Sequence, residues 1–196
     1  KHSVWPNPLQ DYEQAMEMIR TKAEEWKVFS DKVAVIGFSA GGHLAAAAAT
    51  MSKNRPNAAI LGYPVTGSDV KGCCATAPDT ISCVDKNTCP CFIFATRTDA
   101  VVPVMNSIRF MEALVQADIS FESHIYSYGP HGFSTCDTSV QSGDTTISSR
   151  VPNWVSDSIG WLKEVFGDFG NGGMTKPVCK AHVTDNDGEF LSVDCT

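Results

Sequence analysis

Hydrophobic and polar positions change period along this chain in a way that separates helices from strands. From Pro8 to Trp26 the apolar residues Leu9, Tyr12, Met16, Ile19, Ala23 and Trp26 recur at three- and four-residue spacing among acids and bases. That pattern predicts an amphipathic helix packed on a sheet. Lys32 to Gly37 is a short apolar run that predicts a buried strand, and Leu44 to Met51 continues as an alanine-rich helix. Ala58 to Tyr63, Cys91 to Thr96 and Phe121 to Tyr128 predict three further strands, the last of them more alternating than the others. Helices are predicted at Val104 to Ala117 and at Val151 to Phe166, where Trp154, Ile159, Trp161, Leu162 and Val165 mark the apolar face. Strands that alternate with helices imply an α/β fold with a parallel sheet, right-handed crossovers and ligands gathered at the strands' C-terminal ends. Thr66 to Pro90 breaks the rhythm with glycine, serine, threonine and four cysteines, and predicts a loop bordering the site.

Composition narrows the function classes. A chain of 196 residues with 43% hydrophobic content suits one domain with a sizeable core. A formal net charge of −7 without a cluster of lysine or arginine argues against nucleic acid or an anionic membrane as partner. No stretch has the length and apolarity of a membrane span, and Lys1 to Pro6 has no signal-peptide core. Eight cysteines, Cys73, Cys74, Cys83, Cys89, Cys91, Cys136, Cys179 and Cys195, form an even set that avoids the regular segments except at Cys91. Loop cysteines in even number predict disulfides and a secreted or otherwise oxidising setting. With Asn186 to Gly188 as a three-residue hairpin loop, counting outward places Cys179 opposite Cys195. The chain thus divides into a main unit at 1–166, a glycine-rich linker at 167–178 and a terminal hairpin at 179–196. A zinc site of Cys73, Cys83, Cys89 and Cys91 would lack paired Cys-x-x-Cys knuckles, so no metal or cofactor is assigned.

The chemistry concentrates where the first strand meets its helix, at Val33-Ala-Val-Ile-Gly37-Phe-Ser39-Ala-Gly41-Gly42-His43-Leu44. A Gly-x-Ser-x-Gly sequence between strand and helix predicts a nucleophile elbow: Ser39 projects its Oγ above the sheet, and Gly37 and Gly41 admit the close backbone. The backbone N–H of Ala40, at the helix N-terminus, is placed to stabilise an oxyanion. A serine nucleophile needs a base and an acid that orients it, in the chain order serine, acid, histidine for this type of fold. Asp99, just past the buried strand that ends at Thr96, is the candidate acid, ahead of Asp79, Asp118 and Asp137. His131, on the glycine-rich loop after the last strand, is the candidate base, ahead of His2, His43, His124 and His182. His43 reads as packing or hydrogen-bonding beside the site.

Pro8-Leu9-x-Asp11, Asp31 to Ala45 with its Gly-Phe-Ser-Ala-Gly-Gly-His-Leu core, Tyr63-Pro64-Val65, Asp99-Ala-Val-Val-Pro103 with Asn106-Ser107, and Pro130-His131-Gly132-Phe133 resemble the carbohydrate-esterase branch of the α/β-hydrolases, which includes acetyl xylan esterases. The resemblance runs from about residue 5 to 166. It implies a serine esterase that removes small acyl groups, acetyl above all, from carbohydrate, with Ser39, Asp99 and His131 as nucleophile, acid and base and without a cofactor. A feruloyl or short-chain lipid esterase and a catalytically silent binding scaffold are the alternatives. Two departures stand out. The stretch between Tyr63-Pro64 and Cys91 is shorter and richer in cysteine than in the family. The likeness also covers only the later part of the fold, whose front carries several strands and a His-Gly-Gly loop with the other oxyanion donor. The expectation is that a second polypeptide, most simply the N-terminal piece of a cleaved precursor, supplies those strands and that loop.

Overall fold

The apolar runs resolve into one parallel sheet whose strands β1 (Ala34–Phe38), β2 (Ala58–Gly62), β3 (Cys91–Thr96) and β4 (Phe121–Tyr126) stand side by side in chain order. The structure, a computed structural model, describes residues 5–68, 76–136 and 146–167 and the backbone of 179–184 and 190–195. Phe38, Gly62, Phe94 and His124 fall on one row across the sheet, so the loops after the strands open on the same end.

Alternate residues of the two central strands feed two separate cores, because successive side chains of a strand point to opposite faces. Ala58, Ile60, Phe92 and Phe94 join Trp154 and Trp161 of α5 (Trp154–Phe166). Ala59, Leu61, Cys91 and Ile93 join Ala45, Ala46 and Ala49 of α3 (Ala40–Met51) and Phe110 and Leu114 of α4 (Met105–Gln116). Burial on both faces explains why β2 and β3 read as unbroken apolar runs. The run Ala45 to Ala49 is at most 5% exposed, and its small side chains let α3 lie close against the sheet. Each fully buried phenylalanine contributes roughly 1.5–3 kcal/mol.

Three expectations change here. The helix predicted over Pro8 to Trp26 is two helices, α1 (Asn7–Thr21) and α2 (Ala23–Trp26), separated at Lys22. The main contact of α1 is with α3, not with the sheet. Of its apolar stripe only Met16 and Ala23 are buried, and Trp26 is 44% exposed. Polar anchors take over: Tyr12 donates to the Asn54 carbonyl at 3.1 Å, and Glu13 accepts from the Ser52 hydroxyl at 3.0 Å and the Lys53 N–H at 3.1 Å. β4 ends two residues before Tyr128, and 151–153 form a 3-10 turn ahead of α5.

The third change concerns the cysteines. Cys83, Cys89 and Cys91 carry free thiols, not disulfides. Cys89 and Cys91 sit in the core beside Leu61 and Ile93 as small apolar side chains. Contact with Cys89 and full burial push the Cys91 thiol up. The Cys83 thiol donates to the Asp79 carbonyl at 3.3 Å. Cys136 packs, partly buried, against the aromatic core. Cys73, Cys74 and the glycine-rich linker lie outside the described residues. In the terminal hairpin β5 (Cys179–Thr184) runs antiparallel to β6 (Phe190–Cys195), with Cys179 opposite Cys195 in the register. Among the described residues no helix is long and apolar enough to cross a membrane.

Beyond α3, the Arg55 guanidinium grips Asp85 with two hydrogen bonds, at 2.5 and 2.9 Å. That bond, with help from the Asn87 N–H, holds the Asp85 carboxyl at about 2. An unfolded aspartate titrates near ~3.9, so the pair's stabilisation is complete above that pH and is lost as pH falls through about 2. The Asp85 side chain is 44% exposed, which keeps the effect modest and salt-sensitive. Asp85→Asn is expected to flatten the fall in urea midpoint between about pH 4 and pH 2 relative to wild type.

Candidate active site

β1 delivers Ser39 onto a turn so tight that a serine takes φ 55° and ψ −118°. This conformation is sparsely populated for a residue with a Cβ, costs about 1–3 kcal/mol, and persists because the surroundings fix it. The Ser39 N–H donates to the Gly62 carbonyl at 3.0 Å, while its own carbonyl accepts from His43 at 3.1 Å and Val65 at 3.2 Å. The glycine requirements differ from those expected. A Cβ on Gly37 would stand 2.1 Å from the Gly41 carbonyl oxygen, and one on Gly42 would stand 2.8 Å from Pro64 Cα. A Cβ on Gly41 would meet nothing within 4 Å. The close approach that makes this turn therefore depends on Gly37 and Gly42, because Gly41 faces open space. Ala40 begins α3, so its N–H is among the helix's first donors, which have no acceptor inside the helix.

Asp99 follows β3. Its side chain is fully buried, and Oδ1 accepts the backbone N–H groups of Val101 at 2.8 Å and Val102 at 2.9 Å. Oδ2 lies 2.7 Å from His131 Nδ1, and His131 Nε2 lies 2.8 Å from Ser39 Oγ. Residues from the ends of β1, β3 and β4, 92 positions apart at the extremes, thus form one hydrogen-bonded line. An ionised carboxylate only accepts, so Nδ1 is the donating nitrogen and Nε2 is left to accept from the serine hydroxyl.

The other candidates are occupied elsewhere. Asp79 caps the N–H groups of Ile81 and Ser82, and Asp118 lies exposed in the turn before β4. Asp137, His2 and the His182 side chain are outside the described residues. His124 bonds Glu122 at 2.9 Å from within β4. His43 is buried beside the elbow, with Nε2 2.9 Å from the Pro78 carbonyl. Among the described residues no group of three His, Cys, Asp or Glu side chains is placed to hold a metal ion.

Three side chains around the site act through partners that the local sequence does not reveal. Tyr63 sets its ring edge-to-face with the His131 imidazole, centroids 5.0 Å apart, and its hydroxyl accepts the Ser134 N–H at 3.1 Å. Burial pushes the Tyr63 hydroxyl up, so it stays protonated. Thr98 Oγ1 donates to the Gly129 carbonyl at 3.1 Å and accepts the Gly129 N–H at 2.9 Å, fastening the histidine loop to the end of β3. Asn106, 1% exposed, accepts from the Thr66 and Gly67 N–H groups at 2.9 Å and joins the loop after β2 to α4. The motif Tyr63-Pro64-Val65 and the pair Asn106-Ser107 were visible in the sequence, but partners 40 and 71 residues away were not.

The comparisons with known proteins agree with this architecture. A family described as BD-FAE matches residues 1–57. The crystal structure of MGS-M1, an α/β hydrolase enzyme from a Medee basin deep-sea metagenome library, is 39% identical with a TM-score of 0.77, covering 84% of this chain and 67% of that one. The acetylxylan esterase of Xylanibacter ruminicola is 33% identical over 64% of this chain and 31% of its own length. Endo-1,4-beta-xylanase B of Butyrivibrio fibrisolvens is 32% identical over 69% of this chain and 26% of its own length. The chain belongs to the α/β-hydrolases. It spans less than a third of the length of those two xylan-related relatives.

Proposed function

We propose that this protein is a serine carboxylic-ester hydrolase that removes small acyl groups, acetyl first among them, from carbohydrate. The observation that carries the reading is the line Asp99–His131–Ser39, with contacts of 2.7 and 2.8 Å. Ser39 Oγ attacks the ester carbonyl while His131 Nε2 takes the hydroxyl proton. The tetrahedral intermediate collapses as His131 returns that proton to the leaving sugar hydroxyl, leaving Ser39 acylated. Water, deprotonated by the same nitrogen, then releases the carboxylate and restores the serine. Asp99 holds the imidazole in its working tautomer, and the Ala40 N–H supports the oxyanion. The acetylxylan esterase relative supports acetylated sugar as the substrate class.

A second oxyanion donor belongs to this reading, since losing one such donor costs about 10²–10³ in rate. It is assigned to a segment lying along the outer edge of β1. Among the described residues β1 pairs with β2 alone, and Ile36 on it is 52% exposed. An apolar edge of this kind calls for further strands. We propose that a second polypeptide supplies them, as the sequence suggests.

Acetate release by the full-length protein tests the substrate class. Release from acetylated xylo-oligosaccharide is expected at least as readily as from 4-nitrophenyl acetate. Release from the aryl ester alone would remove the carbohydrate assignment, and release from neither would remove the esterase reading. Tyr63 acts here as a positioning residue for His131. Tyr63→Phe is expected to lower kcat about three- to tenfold with KM nearly unchanged, because the loop loses the acceptor for the Ser134 N–H. Steady-state kinetics on the aryl ester would check this.

A further inference from the structure

Behind the catalytic line, one buried amide ties together the loops that carry its two ends. Asn106, the second residue of α4, is enclosed by the fold. Its Oδ1 accepts the Thr66 and Gly67 N–H groups, each at 2.9 Å, and its main-chain carbonyl accepts the Thr66 hydroxyl at 2.7 Å. On the other side its Nδ2 donates to the Pro103 carbonyl at 3.2 Å, alongside its own backbone N–H at 2.9 Å. The N–H groups of Thr66 and Gly67 fix which end of the amide is oxygen, so the nitrogen is left for Pro103. Asparagine is a poor helix former, and burying its amide is unfavourable unless the amide is bonded. What this side chain brings to α4 is therefore its bonds to both loops, since an apolar residue would serve the helix better.

What those bonds join is set by strand order. β2 stands between β1 and β3, so the loop after β2 lies between the Ser39 turn and the Asp99 loop. Thr66 directly follows Val65, whose N–H donates to the Ser39 carbonyl at 3.2 Å. Pro103 directly follows Val102, whose N–H donates to Asp99 Oδ1 at 2.9 Å. Each hold of Asn106 thus falls on the residue next to a bond that fixes Ser39 or Asp99. Thr66 is anchored in turn, because its carbonyl accepts the Thr80 N–H at 2.9 Å and the Thr80 hydroxyl at 3.0 Å. His131 must reach both ends at once, 2.7 Å from Asp99 and 2.8 Å from Ser39. A small change in the separation of the two loops lengthens one contact or the other.

We propose that Asn106 is a positioning residue for the reaction, setting the separation between the Ser39 turn and the Asp99 loop and with it both contacts of His131. The inference rests on the esterase reading and deepens it, adding the residue that keeps nucleophile and acid in register. Loss of the Nδ2 donor loosens the Pro103 carbonyl and the adjoining Val102 N–H that orients the Asp99 carboxylate. Asn106 is buried away from substrate, so the effect falls on the chemical step and not on binding.

The test uses the full-length protein and two variants that remove the same donor by different means. Asn106→Ala removes the whole amide. Asn106→Asp keeps the size and an acceptor for Thr66 and Gly67; at about pH 8 a carboxylate that accepts two N–H groups is ionised, so an acceptor oxygen is left facing the Pro103 carbonyl. Phe110→Leu, a core change on the same helix, controls for lost stability. Both Asn106 variants are expected to lower kcat toward 4-nitrophenyl acetate about five- to fiftyfold, with KM within about twofold of wild type. They are also expected to shift or broaden the far-downfield proton NMR resonance of the Asp99–His131 hydrogen bond, identified by its loss in Asp99→Asn. Phe110→Leu is expected to melt at a lower temperature with kcat and the resonance unchanged. Wild-type kcat and resonance in either folded Asn106 variant, or an effect confined to KM, would overturn the proposal, as would an equal fall in kcat in Phe110→Leu. Failure of the esterase reading is distinguishable, because it appears as absent aryl-ester hydrolysis in wild type, whatever the Asn106 variants do to the resonance.

Discussion

Ser39→Ala is expected to lower kcat toward 4-nitrophenyl acetate by about 10³–10⁶-fold, the range over which removal of a serine nucleophile leaves only binding and oxyanion stabilisation. The variant should fold. Its backbone must hold the φ of 55° that the serine already holds, and the fixing hydrogen bonds to Gly62, His43 and Val65 are made by backbone atoms that alanine keeps. What alanine removes is the Oγ that stands 2.8 Å from His131 Nε2. Initial rates together with thermal melting check the prediction. A rate within tenfold of wild type would exclude Ser39 as the nucleophile.

The second large effect is at Asp99. Its Oδ1 accepts two backbone N–H groups, from Val101 and Val102. In Asp99→Asn the amide oxygen must keep that position, because an NH₂ group there would face two donors. The NH₂ then points at His131 Nδ1, which can only accept from it. The ring proton moves to Nε2, and the nitrogen beside Ser39 can no longer take the hydroxyl proton. A fall in kcat of about 10⁴-fold is expected, with KM close to wild type. Retention of more than a tenth of the rate would mean that the carboxylate does not set the tautomer.

The sheet and the catalytic line were legible in the sequence for the same reason. Three strands of the sheet are continuous apolar runs and β4 is a more alternating one, and Ser39, Asp99 and His131 each follow a strand by a few residues. Gly37 and Ser39 between strand and helix also mark a turn that few other sequences can make. What covers a helical stripe is not written in its period, so Leu9, Tyr12 and Met16 gave a helix without revealing that α1 is held by polar anchors beyond α3. Cys89 and Cys91 misled because spacing does not distinguish a thiol that packs from one that pairs: both belong to the apolar core around Ile93, whereas Cys179 stands opposite Cys195 as the hairpin count expected. The Gly41 expectation failed by one residue, since the contact that excludes a Cβ is made to Pro64, a neighbour the local motif does not contain. The Tyr63-Pro64-Val65 motif was visible, but the hold of Tyr63 on the histidine loop was not, because it depends on a partner brought near only by the fold.

Covalent labelling tests the central claim most directly. An active-site-directed organophosphate, followed by peptide mass mapping of the full-length protein, is predicted to add one phosphonyl group to the peptide that carries Ser39, with none added in Ser39→Ala. Absence of label, or label on a different serine, would contradict the assignment of Ser39, His131 and Asp99 as one catalytic unit.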